Sequence, residues 1–495
     1  MAGQDSTPYF DAILDYGHRG VARFHVPGHK GGFGADAKLR AELADALTLD
    51  IPRDMYGIDV GISPTPSEQA ELLAAEAYGA EQTWFLTNGA TQGNHALTLA
   101  LAPLGASVIV QRNSHGSLVD GLVLSGGLPE FISPQIDANL GIAHGVLPAD
   151  LEQQLEDTPD VRAVFVVSPT YYGTCADIAT LAEIAHGRRL PLVVDQSWGA
   201  HFGLHERVPR SALALGADAV LTSTHKTAGS FTQSAMLHVA SDSLVSADSV
   251  DRAVRLVRST SPNSLLLSSL DAARRNLAVN GEALLEDTLR ALDETRARIK
   301  AIEGLDVVGD ELNGEPGVHE TDPLRLVIDT RGTGESGFAM ADALRDTGDV
   351  SVELATDAVV VLVIGVAEDP AVLDRLVGSV AEAAKAITAP GDHPALPIEV
   401  PAAFKAELVV SPREAFLGGT EIVEFDTAVG RVCGESIAVY PPGIPSLLPG
   451  ERITESIIEH LREQVEKGAR LHGASDPALK TIHVLPDDAI SRRHR

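Results

Sequence analysis

Six short apolar runs alternate with helix-like patterns between residues 81 and 240. The runs lie at residues 84–86, 107–110, 163–167, 192–195, 219–222 and 236–239. Strands separated by helices predict an α/β fold with a mostly parallel, doubly wound sheet. Ligands of such sheets bind beyond the carboxyl ends of the strands. The polar residues that follow each run are therefore the first candidates for chemistry.

The rest of the chain predicts an arm and two smaller units. A helical pattern over residues 264–305 leaves the sheet, and an α/β pattern of strands and helices follows over residues 324–387. Proline and glycine in residues 388–394 predict a linker. We predict four parts: an N-terminal arm with an entrance segment (1–65), a large sheet domain (66–305), a small α/β domain (306–388) and a C-terminal α+β domain (389–495).

The composition excludes several partners. A formal net charge of −31 argues against nucleic acid and anionic membranes, and accommodates a small cation more easily. The same acidity is typical of a surface that keeps a protein in solution, also at high salt. No apolar stretch is long enough to cross a bilayer and residues 1–11 lack a secretory pattern, so we expect a cytoplasmic protein. Cys175 and Cys433 match no metal-ligand spacing, which predicts reduced thiols and no metal.

Lys226 follows the apolar run at residues 219–222 and lies among hydroxyl and imidazole side chains, in Ser223-Thr224-His225-Lys226-Thr227. A lysine that forms a Schiff base must lose its proton near neutral pH, which burial and nearby cations promote. The neighbouring hydroxyls can hold a phosphate. By itself, however, the pattern is more typical of a solvated lysine at a strand end.

Asp195 ends the apolar run at residues 192–195. A buried carboxylate needs a cationic partner. In pyridoxal-phosphate enzymes that partner is the protonated ring nitrogen, whose charge makes the ring an electron sink. An aspartate at a strand end can also bind a metal or cap a helix.

Two loops complete the pattern. Gly89, Ala90 and Thr91 lie between the run at residues 84–86 and a helical pattern, where backbone amides can approach an anion. A generic glycine turn has the same composition, but its order ahead of Asp195 and Lys226 favours a phosphate site. His115 follows another strand and could stack on a planar cofactor or cap the next helix.

Together these segments resemble the bacterial ornithine/lysine/arginine decarboxylases, a fold-type-I pyridoxal-phosphate family with an aspartate-aminotransferase-like large domain. The likeness covers nearly the whole chain, and a C-terminal Tyr-Pro-Pro-Gly motif distinguishes it from general aminotransferases. Its motifs are Phe-His-Val-Pro-Gly-His-Lys-Gly-Gly at residues 24–32, Ser-Pro-Thr-Tyr-Tyr-Gly at 168–173, Ser-Thr-His-Lys at 223–226, Tyr-Pro-Pro-Gly-Ile-Pro at 440–445 and Pro-Gly-Glu at 449–451. As in the short biosynthetic arginine decarboxylases, the chain begins at the family's core, without the N-terminal wing domain of the long forms.

The resemblance implies pyridoxal phosphate as cofactor and a role for each matching residue. Lys226 would carry the cofactor, and it or His225 would return a proton to the substrate. Asp195 would pair with the ring nitrogen, His115 would stack on the ring and Trp198 would donate a hydrogen bond to the ring oxygen. The remaining implied contacts are the phosphate (Gly89, Ala90, Thr91, Ser223 and His225), the partner subunit's phosphate in a homodimer with its active site at the interface (Ser230 and Thr232), and the substrate (Glu435 and His29).

The implied reaction is α-decarboxylation of a basic L-amino acid. The short architecture favours arginine, with lysine and ornithine as alternatives. Transamination or aldol cleavage on the same scaffold, and a cofactor-free regulatory homologue, are the other hypotheses. Two segments depart from the family: residues 195–199 read Asp-Gln-Ser-Trp-Gly where many short members read Asp-Glu-Ala-His-Gly, and residues 53–62, near the expected substrate entrance, lack the usual Leu-Asp-Asp-Leu pattern.

Overall fold

The computed structural model describes residues 3–387, 406–440, 444–466 and 469–487. The predicted linker at residues 388–394 and positions 441–443 of the C-terminal motif lie outside the described residues. The N-terminal arm contains the helices α1 (Pro8–His18) and α2 (Ala37–Leu49), and α3 (Pro66–Tyr78) follows ahead of the first strand. A capping box at Thr65 and Glu68 begins α3, and Gly79 ends it in the left-handed conformation that glycine adopts most easily.

The large domain alternates strands and helices, as the sequence predicts. In chain order its elements are β1 (Gln82–Leu86), α4 (Gly89–Leu101), β2 (Ser107–Gln111), α5 (Gly116–Ser125), β3 (Leu128–Ile132), α6 (Pro148–Asp157), β4 (Val164–Val167), β5 (Thr174–Cys175), α7 (Ile178–Gly187), β6 (Leu192–Asp195), β7 (Ala219–Thr222), α8 (Thr224–Thr227), β8 (Ala235–Val239), α9 (Ala247–Val257) and α10 (Ser264–Lys300).

Seven of these strands form one sheet in the order β1-β8-β7-β6-β4-β2-β3. The five strands from β7 to β3 are parallel, whereas β8 runs antiparallel to both β7 and β1. The central strand β4 is Val-Phe-Val-Val and is buried throughout, as parallel strands covered by helices on both faces are. This confirms the predicted α/β fold class. Since β6 and β7 are adjacent and parallel, the residues that follow them meet at one edge of the sheet.

A second unit follows α10. It contains β9 (Asp306–Val308), β10 (Glu320–Thr321), β11 (Arg325–Asp329), α11 (Gly337–Gly348), β12 (Leu354–Ala355), β13 (Val359–Val363) and α12 (Pro370–Ile387). Four of the strands form an antiparallel sheet in the order β12-β13-β11-β9. Apolar residues of β11 and β13 share one buried cluster with α10, α11 and α12, so the small sheet packs against the long helix that leaves the large domain.

The C-terminal unit is α+β. Its elements are α13 (Pro412–Leu417), β14 (Glu421–Glu424), β15 (Ile437–Tyr440), β16 (Ile444–Leu447), α14 (Glu455–Glu466), β17 (Arg470–His472) and β18 (Thr481–Val484). They form one antiparallel pair, β14-β18, and one three-stranded sheet, β16-β15-β17. The domain boundaries given above stay a prediction. Among the described residues, no helix is both long and apolar enough to cross a membrane.

Candidate active site

Lys226 lies in the short helix α8, directly beyond β7. Its Nζ is 3.6 Å from the centroid of the Trp198 ring and 6.0 Å from that of Tyr171. Within the described part of the chain, no hydrogen bond or ion pair joins this amino group to another residue. Burial lowers the pKa of Lys226 to about 8, although the charge of Asp195 opposes the shift. Roughly a tenth of the amine is therefore unprotonated at pH 7, far more than for an ordinary lysine.

Asp195 ends β6, the strand next to β7. Its Oδ1 accepts a hydrogen bond from the backbone N–H of Ser197 at 3.0 Å, and its Oδ2 accepts one from Asn94 Nδ2 at 3.2 Å. These donors fix the orientation of the carboxylate but leave its charge unpaired, since no cationic side chain of the described residues forms an ion pair with it. The carboxylate is thus able to take a cationic group of a ligand.

His115 occupies the N-cap of α5, where its Nδ1 accepts a hydrogen bond from the backbone N–H of Ser117 at 3.2 Å. Desolvation of the ring, followed by the positive charge of Lys226, lowers the pKa of His115, and Asp195 opposes both. The histidine is therefore a helix cap, one of the two alternatives that the sequence left open. It is also close enough to Lys226 and Asp195 to interact with their charges.

The glycine loop begins α4. Gly89 has a φ of +65°, and its backbone N–H donates to the carbonyl oxygen of Gln233 at 2.7 Å. Ala90 and Thr91 follow in the first turn, where the N–H groups of a helix lack intrahelical partners. At Gly93 an added Cβ would lie 2.2 Å from the Leu221 side chain, so glycine is required for α4 to pack on β7. The first turns of α4 therefore pack against β7, the strand that precedes Lys226.

The segment after α8 lies beside the same glycine loop. Gln233 Nε2 donates to Asn88 Oδ1 at 3.0 Å. The hydroxyls of Ser230 and Ser234 form a hydrogen bond of 2.5 Å, and Thr232 is exposed. The predicted reach of Ser230 and Thr232 toward a partner subunit therefore stays a prediction, while in their own chain their neighbour Gln233 contacts the candidate phosphate loop.

Buried hydroxyls without partners mark the space around Lys226. Ser197 Oγ and Thr224 Oγ1 are buried and have no hydrogen-bond partner among the residues that the structure describes. Ser223 is buried at the N-cap of α8, and His225 Nδ1 is 2.7 Å from the carbonyl oxygen of Ser234. Desolvation lowers the pKa of His225, so its neutral form is favoured. Orphaned buried donors are uncommon, and together with a lysine of lowered pKa they fit a phosphorylated aldehyde cofactor.

Comparison with known proteins places the chain in a family. The pattern described as "Orn/Lys/Arg decarboxylase, major domain" matches residues 7–371, and the corresponding C-terminal domain matches residues 402–476. The chain belongs to the Orn/Lys/Arg decarboxylase family. This confirms the resemblance drawn from the motifs.

Relatives of nearly the same length are known. An arginine decarboxylase of Halalkalibacterium halodurans is 37% identical over 99% of this chain and 100% of the relative. One of Bacillus subtilis is 35% identical over 98% of this chain and 99% of the relative. Among solved structures, the lysine decarboxylase of Francisella novicida superposes with a TM-score of 0.81 at 20% identity, over 97% of this chain and 81% of that protein. At that identity the likeness shows the fold alone.

The two residues expected to contact the substrate in this family have other contacts in the structure. Glu435 Oε2 accepts hydrogen bonds from the backbone and the hydroxyl of Ser475, and Oε1 accepts one from the backbone N–H of His483 at 3.1 Å. His29 Nε2 is 3.1 Å from Asp50 Oδ2 in the N-terminal arm. None of the hydrogen bonds of the described residues links either side chain to Lys226.

Three contributors to the site were missed from the sequence. Arg325 of β11 lies over the Trp198 ring, with its Cζ 4.6 Å from the centroid. His472 of β17 is close enough to His115 for its charge to act on that ring. Arg112, just past β2, forms a buried ion pair with Glu451 at 3.0 Å and so ties the C-terminal unit to this edge of the large sheet. The sequence offers only one hint of these roles for Arg325 and Arg112: each is a charged residue at the end of an apolar strand-like run.

Proposed function

We propose that this chain is a pyridoxal-phosphate-dependent decarboxylase that converts L-arginine to agmatine and carbon dioxide. The observation that carries the proposal is Lys226: a partly unprotonated amine at the carboxyl edge of the sheet, beside an unpaired Asp195. Full-length relatives named arginine decarboxylase support the choice of reaction.

The residues present would hold the cofactor from several sides. Lys226 would bind it covalently, Asp195 would pair with its ring nitrogen, and His115 would lie against the ring. Gly89, Ala90 and Thr91, together with Ser223 and His225, would bind the phosphate through backbone and side-chain donors. Trp198 would lie beside the covalent bond. When bound, pyridoxal phosphate supplies an electron sink for the electron pair left when carbon dioxide departs.

The chain's own residues account for the proton movements. The pKa of Lys226, about 8, allows the free amine to pick up a proton and to deliver it at neutral pH. The Trp198 ring, only 6% exposed, covers one side of Nζ and excludes water there. His225 is the alternative donor: its Nδ1–H donates to the Ser234 carbonyl oxygen, so Nε2 of the neutral ring is an acceptor that would have to take up a proton before returning it to the substrate. Lys226 is the better-placed donor because its amine is released next to the substrate.

The substrate's cationic end would be recognised by Glu435. A carboxylate has about four acceptor positions, and Glu435 uses three of them for Ser475 and His483. The remaining capacity suits one N–H of a guanidinium or ammonium group. The overall charge of −31 favours the approach of such a cation.

A homodimer with the active site at the subunit interface is part of the proposal. The N-terminal arm leaves large apolar side chains open to solvent: Phe24 is 96% exposed, Phe33 87% and Ile62 89%. Exposed apolar side chains of this kind are typical of interaction surfaces, and a second copy of the chain would cover them. The cytoplasm is the proposed location, consistent with the two free buried thiols, Cys175 and Cys433.

A product assay tests the reaction and the substrate together. The chain, supplied with pyridoxal phosphate, is incubated separately with L-arginine, L-lysine and L-ornithine, and the amines and the carbon dioxide are measured. Agmatine with an equal amount of carbon dioxide is the expected main product. Cadaverine or putrescine as the main amine would transfer the assignment to lysine or ornithine, and keto acid without carbon dioxide would replace decarboxylation with transamination.

A further inference from the structure

Arg325, at the start of β11, reaches the candidate active site from the small unit. It is 2% exposed, and its Nη2 donates a hydrogen bond to the carbonyl oxygen of Trp198 at 3.1 Å. Gly173 leaves room for it, since an added Cβ there would lie 2.6 Å from Arg325 Cγ. The guanidinium thus makes two contacts with Trp198: a hydrogen bond to its backbone carbonyl and a cation–π contact with its ring.

The charge of Arg325 is poorly compensated where it lies. Its Nε and Nη1 are buried, and no described residue accepts a hydrogen bond from either. Its nearest carboxylate oxygen, Asp322 Oδ2, is 3.9 Å away, and the other oxygen of Asp322 is bonded to His201 at 2.9 Å. A buried guanidinium with unpaired donors destabilises a fold. Such departures from good packing chemistry are most frequent at functional sites.

Trp198 connects Arg325 to Lys226. Lys226 Nζ is 3.6 Å from the centroid of the same indole that the guanidinium contacts. An indole face attracts a cation by about 0.5–2 kcal/mol, so the orientation of the ring determines where the amine rests. We propose that Arg325 is a positioning residue, which fixes the Trp198 ring and through it holds the amino group of Lys226 in place for reaction. This inference rests on the proposed function.

The charges around the amine agree with this role. Burial is the main cause of the low pKa of Lys226, and Arg325 lowers it further, against Asp195 and Glu353. Arg325 therefore acts on Lys226 through the geometry of the indole and through its own field. Two variants separate the effects: Arg325→Met removes the charge at similar length, whereas Arg325→Lys keeps the charge but loses the planar contact with the indole.

Two measurements on the full-length apoprotein test the role without depending on turnover. The first is the rate of pyridoxal phosphate uptake, followed by visible absorbance as a function of pH. The second is acrylamide quenching of tryptophan fluorescence in a Trp84→Phe background, which leaves Trp198 as the only tryptophan. In Arg325→Met we expect the pH midpoint of cofactor uptake to move to higher pH, because Arg325 no longer lowers the pKa of Lys226. Uptake at pH 7 should then be roughly three- to tenfold slower. Quenching of Trp198 should be stronger. In Arg325→Lys we expect stronger quenching with a midpoint near that of wild type.

Arg290→Met is the matched control, because Arg290 is an exposed arginine paired with Asp287, and it should match wild type in both measurements. Circular dichroism identifies any variant that fails to fold. If Arg325→Met does not fold, Arg325→Lys alone is used to test the inference. Unchanged midpoint and quenching in Arg325→Met would contradict the inference. A separate assay of arginine decarboxylation provides a second check: a defect confined to the KM for arginine would make Arg325 a substrate ligand and would also contradict the inference. Failure of the wild-type chain itself to take up the cofactor would contradict the proposed function, and this inference with it.

Discussion

Arg112 and Lys226 are two buried cations that occupy similar places in the same sheet, just beyond the carboxyl ends of β2 and β7. Arg112 forms two hydrogen bonds with the carboxylate of Glu451, at 3.1 and 3.0 Å, and a third with the carbonyl oxygen of Pro445 at 2.9 Å. Lys226 has the face of an indole in place of a carboxylate. The same edge of the fold thus contains one fully paired charge and one unpaired charge.

The difference separates a structural cation from a reactive one. A bidentate arginine–carboxylate pair is strong and geometrically specific, and this pair connects segments 339 residues apart in the sequence. It holds the C-terminal unit onto the large sheet. A paired lysine would keep its proton and could not react as a nucleophile at neutral pH. Lys226 has no carboxylate partner among the described residues, and this lack is what lets its amine react as a nucleophile.

Removal of the reactive cation should have the largest effect. Lys226→Ala is expected to lower carbon dioxide release by at least about a thousandfold, because no other described group can bind the cofactor covalently at this position. The visible absorbance of the lysine-bound cofactor should disappear as well. Lys385→Ala is the control, since Lys385 is exposed on α12. Retention of both turnover and absorbance by Lys226→Ala would remove Lys226 from the mechanism.

Removal of the paired cation should act on stability instead. Arg112→Met leaves Glu451 buried and alone, and burial already raises the pKa of that carboxyl group against the influence of Arg112. We expect a loss of about 3–5 kcal/mol in the free energy of unfolding, measured by urea denaturation. The double variant Arg112→Met with Glu451→Met should recover much of it, because no buried charge is then left unpaired.

The interpretation of Arg112 as a structural, paired cation is wrong if the double variant is as unstable as Arg112→Met alone. In that case packing around the pair, and not the unpaired charge, would determine the loss. An equal substitution of the exposed Arg345, which pairs with Asp342 on α11, should leave the free energy of unfolding close to that of wild type.

The sheet was predictable because its strands are local apolar runs. All six predicted runs form strands of the large sheet. The seventh strand, β3, was missed since its sequence, Leu-Pro-Glu-Phe-Ile, contains a proline and a glutamate. It is an edge strand, where proline is tolerated. The antiparallel order of the small sheet depends on packing between units, which strand and helix periodicity does not contain.

The site residues also fall into two groups, those predictable from local sequence and those that depend on packing between units. Asp195, Lys226, His115 and the Gly89 loop were found because each follows a strand, and parallel strands bring the following residues to one edge. Arg325 and Trp198 are 127 residues apart, and their contact depends on how the small unit packs against the large one. Glu435 was found by motif alone, and its hydrogen bonds with Ser475 and His483 show a role inside its own unit that the motif did not reveal.

The pH dependence of stability gives the finest test of the comparison. In the apoprotein the pKa of Lys226 is lowered from 10.5 to about 8. Between these values the unfolded chain binds a proton that the folded chain does not, so stability rises with pH across the window. A shift of this size corresponds to about 3 kcal/mol. Below pH 8 the lysine is protonated in both states, and its full desolvation penalty remains.

Urea denaturation of wild-type and Lys226→Met apoproteins from pH 7.5 to pH 10.5 gives the difference between their free energies of unfolding. The contributions of all other titrating groups cancel in this difference. We expect the advantage of the methionine variant to be largest near pH 8 and to decrease by about 3 kcal/mol toward pH 10.5. The loss caused by Arg112→Met should stay constant over the same range, because arginine remains protonated throughout. A constant difference for Lys226→Met as well would mean that Lys226 is solvated like an ordinary lysine, and the distinction between the two cations would then be one of geometry alone.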